Sequence, residues 1–197
     1  YVLQQKNQSV RRTIKQVYSQ FGYSVIELAN TSPLKNFNPG QYIKIDNNFY
    51  AIASHSDENI TVFCKDSGYF YPGREVDILS PLGRGFSHVE GDDVLLVAAG
   101  TGIAALNLVL YTRAAKGLQT RLLIISKDYS LETISSFFPC IAQATVTFWD
   151  TSIRGRPDVL KEIKKLSVEN TYVLYSGPNE LEKELFYGLG DRLILNT

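Results

Sequence analysis

The sequence predicts two domains of different class, a small antiparallel β-barrel followed by an α/β domain built on a parallel sheet. In residues 1–91, short segments rich in Ile, Val, Phe and Tyr are separated by turn residues and show no helical periodicity. From residue 92 onward, apolar strand-like segments alternate with helical segments, which is typical of a parallel sheet covered by helices. The predicted boundary is therefore Gly91-Asp92, which gives domains of residues 1–91 and 92–197.

Six short strands are predicted in the first domain, and a closed six-stranded barrel is the arrangement that leaves none of them at an open edge. The turn at Pro39-Gly40 precedes the third of them. The predicted strands are residues 10–18, 23–28, 42–45, 49–53, 60–65 and 75–80.

The second domain begins with a strand that is apolar throughout, as expected for a strand buried on both faces. Ser130 can cap its second helix and Pro139 can end it, while Pro157 fits the first turn of the third helix. The predicted strands are residues 93–98, 120–126, 145–149, 171–175 and 192–195, and the predicted helices are residues 103–116, 130–138, 157–166 and 180–189.

Composition argues against several classes of protein. The 20 basic and 20 acidic residues give no excess positive charge for a nucleic-acid interface. No apolar run approaches the ~20 residues that span a bilayer, and no signal peptide is recognisable. Cys64 and Cys140 show no metal-binding spacing, so free thiols in a reducing compartment are predicted. We expect a cytoplasmic protein, or one from an organelle stroma or matrix if a segment precedes Tyr1.

The strongest local motif is Gly100-Thr101-Gly102-Ile103-Ala104-Ala105, which lies between a buried strand and a helix. Glycines at such a turn let the backbone approach a phosphate, and the helix N-terminus supplies free N–H groups. The motif therefore predicts nucleotide binding. A tight turn that needs small residues for packing is the alternative.

Two weaker motifs lie elsewhere. Ser176-Gly177-Pro178 follows another predicted parallel strand, at the sheet edge where ligands of α/β proteins bind. In residues 49–54, Tyr50 could place its ring against a planar ligand and Ser54 could offer a hydroxyl. For residues 176–178 the alternative is an ordinary strand-to-helix turn. For Tyr50 the alternative is an aromatic residue that fills the barrel rim, and local evidence favours this alternative over a ligand contact.

The order of five segments resembles the ferredoxin–NADP reductase superfamily. The segment at residues 81–86 is similar to the electron-transfer subunit of dihydroorotate dehydrogenase, and residues 49–54 are similar to a plastid and bacterial branch of the superfamily. The five segments are residues 39–42, 49–54, 80–86, 100–105 and 176–178.

This resemblance implies an oxidoreductase that passes hydride from NADH or NADPH to a bound flavin, usually FAD, and then electrons to an acceptor. The acceptor, a protein included, is not identified by the sequence. Tyr50, Thr101 and Ser176 are expected at the reacting rings. The implied cofactor-binding residues are Tyr50, Ala51, Ile52, Ala53 and Ser54 on the barrel, and Gly100, Thr101, Gly102, Ile103, Ser176, Gly177 and Pro178 on the second domain.

The choice between NAD and NADP stays open. Ser126 and Lys127 could bind a 2′-phosphate, whereas Asp128 could accept a hydrogen bond from a free ribose hydroxyl. Arg154 and Arg156 could add positive charge, and a solvated loop without a ligand is the alternative for all of these residues.

The chain departs from the family pattern at the flavin site. Asn48 and Ala51 stand where the family has an arginine and a serine, and residues 66–73 are too few for the family's phosphate-binding helix. Ser176 replaces a cysteine, and Asn196-Thr197 ends the chain where relatives often place an aromatic ring over the flavin. These departures favour an alternative, a reductase-fold binding or regulatory module that has lost flavin and redox function. A sensor that binds NAD(P)H without flavin is the third hypothesis.

Overall fold

Six antiparallel strands close into a barrel in the first part of the chain. The computed structural model describes residues 9–20, 22–30, 37–65, 68–91 and 93–195. Around the barrel the strand order is β1-β2-β5-β4-β3-β6. The strands are β1 (Ser9–Gln20), β2 (Tyr23–Ala29), β3 (Tyr42–Ile45), β4 (Asn48–His55), β5 (Asn59–Lys65) and β6 (Glu75–Leu82).

Five parallel strands form a sheet in the second part, in the order β11-β10-β7-β8-β9. The central strand β7 is buried along its whole length, which explains its uninterrupted apolar sequence. The strands are β7 (Val94–Ala99), β8 (Arg121–Ser126), β9 (Thr145–Asp150), β10 (Tyr172–Ser176) and β11 (Leu193–Leu195). The barrel and the parallel sheet together confirm the predicted fold class.

Within the described residues, five α-helices join or follow these strands: α1 (Ile103–Ala115), α2 (Leu131–Phe137), α3 (Thr151–Arg154), α4 (Val159–Leu166) and α5 (Asn179–Leu189). The Ser130 side chain caps α2 as predicted, accepting a hydrogen bond from the Thr133 N–H. The prediction that α4 includes Pro157 was wrong, because Asp158 caps that helix and it begins at Val159. The short helix α3 was not predicted; the Asp150 carboxylate caps it by accepting the Ser152 N–H at 2.8 Å.

Helix α1 packs against both the barrel and the sheet, so the two parts share a core. Its Asn107 amide donates to the carbonyl oxygen of Ala53 in β4 at 2.8 Å. The fully buried guanidinium of Arg113 donates to the carbonyl oxygens of Val89 and Gly91 at 2.8 and 2.7 Å. The position of the segment that leads into the sheet is therefore held by α1. The boundary at Gly91-Asp92 stays a prediction, and Asp92 is outside the described residues.

Among the described residues, no helix combines the length and the apolar character needed to cross a membrane.

Candidate functional site

A cleft of about 1300 Å³ lies between the barrel and the carboxyl edge of the parallel sheet. This volume exceeds the ~300–1,000 Å³ of ordinary small-molecule pockets. The barrel wall, as we call one side of the cleft, consists of Tyr23, Asn48, Phe49, Tyr50, Ala51, Phe63, Cys64, Lys65 and Tyr69. The sheet wall opposite consists of Ala99, Gly100, Thr101, Gly102, Ile125, Ser126, Lys127, Asp128, Thr151, Arg156, Pro157, Val159, Ser176, Gly177, Pro178, Glu180 and Leu181.

The glycine motif turns the chain from β7 into α1 at the sheet wall. Residues 100–102 form a 3₁₀ turn, and Gly100 has a φ of +58°, a conformation that favours glycine. The Tyr129 hydroxyl donates to the Gly100 carbonyl oxygen at 2.7 Å. Burial raises the pKa of Tyr129, so its hydroxyl keeps the proton that this bond requires. The turn is thus held in place with the N-terminus of α1 beside the cleft.

Gly102 touches the second loop motif. A Cβ atom at Gly102 would overlap the carbonyl oxygen of Ser176 and lie 3.0 Å from the Gly177 nitrogen. At Gly177, a Cβ atom would lie 2.5 Å from the Tyr175 hydroxyl oxygen and 2.7 Å from the Ala99 Cβ. The two motifs, more than 70 residues apart in sequence, therefore form one continuous backbone surface that has no room for side chains at these glycines.

Tyr50 lies on β4 at the barrel wall and is half-buried. Its ring packs edge-to-face against Phe70, with centroids 5.7 Å apart. Burial is the main cause that raises the pKa of Tyr50, so it faces the cleft as a neutral phenol. Its neighbours Asn48 and Phe49 are exposed, and Phe49 keeps 63% of its surface accessible. These side chains offer the cleft aromatic and neutral polar groups.

Four of the predicted cofactor-binding residues do not line the cleft: Ile52, Ala53, Ser54 and Ile103. Ile52 is fully buried in the barrel core, and Ala53 is buried beneath α1, where its carbonyl oxygen accepts the Asn107 amide. Ile103 is buried at the start of α1, and Ser54 is half-buried. The structure brings all of the other predicted site residues to the cleft.

The segment between β5 and β6 forms no helix in its described part. The Tyr69 hydroxyl donates to the Asp46 carboxylate, and the Arg74 guanidinium lies 3.5 Å from the Tyr69 ring centroid. Phe70 is buried in the barrel core, whereas Tyr71 keeps 59% of its surface exposed. Phe70 therefore fills part of the barrel interior, and the contacts with Asp46 and Arg74 hold the Tyr69 ring in place at the cleft. Asp66 and Ser67 lie outside the described residues.

Asp128 joins the two walls in what we call the Asp128 bridge, formed by Asp128, Lys65 and Tyr23. Its carboxylate accepts hydrogen bonds from the Lys65 ammonium at 3.1 Å and the Tyr23 hydroxyl at 3.2 Å. The Lys65 hydrogen bond is the main cause that lowers the pKa of Asp128. Burial, reinforced by the Asp128 charge, raises the pKa of Tyr23 to about 12. The carboxylate considered for a ribose hydroxyl is thus engaged by the barrel.

Sequence reasoning missed Tyr23 and Lys65. The two residues are directly opposite each other on β2 and β5, at the barrel rim. Neither belongs to a recognisable motif, and Asp128 is distant from both in sequence. Only the packing of the barrel on the sheet brings the three side chains together.

The remaining charged candidates have separate environments. The Ser126 hydroxyl is buried and accepts the N–H groups of Asp128 and Tyr129, both at 3.3 Å. Lys127 and Arg156 are exposed at the sheet wall, whereas the Arg154 guanidinium lies 5.3 Å from the Trp149 ring centroid. Lys127 and Arg156 are therefore the cations on this wall that can meet an anionic ligand.

Two motifs that carried the family resemblance contact each other instead of the cleft. The Gln41 amide donates to the Gly83 carbonyl oxygen at 2.9 Å, and the Phe86 N–H donates to the Pro39 carbonyl oxygen at 2.7 Å. A Cβ atom at Gly85 would lie 2.6 Å from that same Pro39 oxygen. These motifs stabilise the barrel, and they act on the site only through the fold.

The described residues contain no group of three or more His, Cys, Asp or Glu side chains that could hold a metal ion. Cys64 is buried and Cys140 is partly buried, and the two do not form a disulfide, which was the alternative to free thiols.

Two curated proteins are similar to the chain, and both are electron transfer subunits of dihydroorotate dehydrogenase B (NAD(+)). The one from Caldanaerobacter subterraneus subsp. tengcongensis is 26% identical over 166 residues, which cover 77% of this chain and 65% of that protein. The one from Fusobacterium nucleatum subsp. nucleatum is 29% identical over 126 residues, or 60% of this chain and 49% of that protein. The chain thus matches between about half and two thirds of their length.

No protein-family model matches the chain. Among solved structures, it is similar to the flavohem-like FAD/NAD binding domain of nitric oxide dioxygenase from Vibrio cholerae O1 biovar El Tor. The TM-score is 0.74 at 16% identity, and the match covers 94% of this chain and 96% of that domain. The likeness extends across the barrel and the sheet, so the two chains share one fold.

Proposed function

We infer that this chain, whose fold and ordered motifs are those of the ferredoxin–NADP reductase superfamily, is an NAD(P)H-dependent flavin oxidoreductase. It accepts hydride from a nicotinamide onto a flavin and passes electrons to a further acceptor. One observation carries the proposal. The cleft sets an aromatic wall, which suits a planar ring, directly opposite a glycine-rich wall, which suits a dinucleotide.

The sheet wall fits a dinucleotide. The 3₁₀ turn at residues 100–102 leaves backbone N–H groups at the N-terminus of α1, where the helix dipole favours an anionic phosphate. Lys127 and Arg156 add positive charge on the same wall. The Thr101 and Ser176 hydroxyl groups lie at the two touching loops, where they can hold a nicotinamide amide or ring in register.

The barrel wall fits a flavin ring. Tyr50 offers a partly exposed aromatic surface, and Ala51 is small enough to let the backbone of β4 approach the ring's polar edge. When bound, the flavin supplies the redox chemistry, and the chain supplies position and electrostatics. Tyr50 orients the ring, the Gly102–Ser176 contact fixes the opposite surface, and the Asp128 bridge joins the two walls.

The relatives support an electron-transfer role, since both are named as electron transfer subunits. By analogy, the acceptor for this chain is a partner protein that receives electrons from the flavin. Which protein that is, and whether NADH or NADPH is the donor, are outcomes for experiment.

The test is a visible absorbance spectrum of the purified protein, recorded without oxygen before and after adding FAD, then NADH or NADPH. We expect a flavin band that shifts on binding and bleaches with one of the two nicotinamides. The control is the same mixture without protein, since free flavin reacts slowly with nicotinamides. A spectrum of FAD that the protein does not change would favour the redox-inactive module. Nicotinamide binding without flavin binding would favour the sensor.

A further inference from the structure

We propose that the barrel wall recognises a flavin through its ring alone, so that riboflavin, FMN and FAD are exchangeable ligands of similar affinity. This inference rests on the proposed function and refines it, because it states which part of a flavin the chain binds. The three flavins share the isoalloxazine ring and differ in the number of phosphates and in the adenosine group.

Aromatic residues dominate the barrel wall. Five of its nine side chains are aromatic: Tyr23, Phe49, Tyr50, Phe63 and Tyr69. Neighbouring rings fix their orientation, since Tyr23 stacks on Phe63 with centroids 5.2 Å apart and Tyr69 meets Phe70 edge-to-face at 5.1 Å. Tyr23 and Phe63 are buried, whereas Phe49, Tyr50 and Tyr69 keep ring surface accessible and can bind a planar ligand by stacking and by burial of apolar surface. This wall therefore suits the part that all three flavins share.

The positive charge that the described residues place on the barrel wall is already paired with a carboxylate. Lys65 is the one cationic side chain among the described barrel residues that line the cleft, and its ammonium is 3.1 Å from the Asp128 carboxylate. Asn48, which faces the cleft nearby, is neutral and exposed. A flavin phosphate at this wall would thus gain no unpaired cation from the described residues that line it.

Two cations close to the barrel wall are also engaged by other groups. The Arg74 guanidinium lies 3.6 Å from the Asp46 carboxylate and donates to the Tyr69 carbonyl oxygen at 2.6 Å. The Lys44 ammonium lies 5.6 Å from the Phe49 ring centroid, and Lys44 does not line the cleft. The described part of the segment between β5 and β6 contains no helix that could present N–H groups to a phosphate.

Hydrogen bonds between a charged group and a phosphate are the strong contacts by which a site selects a phosphorylated ligand. Two such bonds would favour FAD over riboflavin by about 100-fold or more. The exposed cations Lys127 and Arg156 lie on the sheet wall, which the proposed function assigns to the dinucleotide. Because the described barrel wall offers no such bond, we expect the dissociation constants of riboflavin, FMN and FAD to agree within about fivefold.

The experiment titrates protein stripped of bound flavin with riboflavin, FMN and FAD in turn, and follows the quenching of flavin fluorescence. Dissociation constants within about fivefold support the inference. FAD that binds 100-fold more tightly than riboflavin would overturn it and leave the proposed function intact. Failure of all three flavins to bind would overturn both, so the two failures are distinguishable.

A matched pair of variants tests whether a cation added to the barrel wall strengthens the binding of phosphorylated flavins. Asn48→Arg places a cation at the barrel wall, whereas Asn47→Arg places the same charge on an exposed turn residue that does not line the cleft. We expect Asn48→Arg to tighten FMN and FAD by about tenfold without changing riboflavin, and Asn47→Arg to change none of them. Equal tightening of riboflavin, or no gain for FAD, would overturn the argument. Both positions are exposed, so the variants should fold.

Discussion

The two walls of the cleft hold their shape by different means. The sheet wall is defined by backbone packing, with Gly102 against Ser176 and Gly177 against Tyr175. The barrel wall is defined by side chains such as Tyr50 and Phe49 that project from a closed barrel. Substitution of one residue can therefore change what the barrel wall binds without moving it, whereas the sheet wall tolerates little change at its glycines. This contrast is consistent with a chain that keeps its close-packed glycines at the sheet wall, while Asn48 and Ala51 at the barrel wall depart from the ferredoxin–NADP reductase pattern that it resembles.

The largest effect is expected from Gly102→Ala, which adds a side chain to the backbone packing of the sheet wall. The added Cβ would overlap the Ser176 carbonyl group, so the two loops must separate. We expect the free energy of unfolding to fall by about 2–3 kcal/mol, at the upper end of the usual cost of overpacking. We also expect the dissociation constant for NADH or NADPH to rise by at least about tenfold, measured by calorimetric titration.

Gly117→Ala is the control for that variant. Gly117 has a φ of +66°, an added Cβ there would meet no atom within 4 Å, and the residue does not line the cleft. Its replacement should cost about 1 kcal/mol of backbone strain and leave nicotinamide binding unchanged. If Gly102→Ala bound nicotinamide as well as Gly117→Ala does, contact between the two loops would not matter for binding.

Tyr50→Leu should weaken flavin binding while the sheet wall stays intact. Stacking of a planar base on an aromatic side chain contributes about 1–3 kcal/mol, which corresponds to a rise in the flavin dissociation constant of roughly 5- to 100-fold. Tyr50→Phe keeps the ring and its contact with Phe70, so it should bind flavin nearly as well as the original chain. Equal affinity in the leucine and phenylalanine variants would remove Tyr50 from the flavin site.

Charge on the sheet wall should affect the nicotinamide alone. We expect Arg156→Gln to raise the NADH or NADPH dissociation constant by about tenfold, since a hydrogen bond to a charged group contributes about 1.5 kcal/mol or more. Arg154→Gln is the matched control, because Arg154 lies over Trp149 and does not line the cleft. A larger loss for NADPH than for NADH would assign Arg156 to the 2′-phosphate. An equal effect of both variants would indicate that Arg156 acts on NADH or NADPH through long-range electrostatics and not through a direct contact.

Sequence patterning sufficed for the fold class, because continuous apolar strands such as β7 alternate with helical segments in the sheet half, although it missed the short helix α3. It also located the two touching loops, since their glycines mark close backbone contact. It could not show which residues of β4 face the cleft: Tyr50 does, but Ile52 and Ala53 face the barrel core and α1. That orientation depends on how the barrel packs on the sheet, a long-range property that local sequence does not carry.

The Asp128 bridge is the smallest expected effect, and it can be measured through its pH dependence. The pKa of Tyr23 is raised to about 12, above its usual value of about 10, so the folded state holds this proton more tightly than the unfolded state. The resulting stabilisation is fully present below about pH 10 and is lost as the pH rises from about 10 to about 12. Tyr23→Phe lacks this loss, so the stability difference between the two proteins should shrink across that window.

Urea unfolding of both proteins at several values between about pH 9 and pH 12 measures this difference directly. Burial also raises the pKa values of Tyr129 and Tyr175. The Tyr175 contribution is the same in both proteins and cancels, whereas the Tyr23 charge also raises the pKa of Tyr129, and that part of the effect is measured together with Tyr23.

The Asp128 carboxylate affects stability at acidic pH, whereas the Tyr23 hydroxyl affects it at alkaline pH. Because the pKa of Asp128 is lowered, its stabilisation is present above the ordinary carboxyl range and is lost as the pH falls. A bridge between exposed charges contributes about 0.2–1 kcal/mol, so Asp128→Asn should alter stability by no more than that near neutral pH. In the Asp128→Asn background, Tyr23→Phe should produce a smaller pH-dependent difference, because the Asp128 charge no longer raises the Tyr23 pKa. A difference that stayed the same would mean that burial alone sets this pKa and that the Asp128 charge has no effect on the Tyr23 hydroxyl.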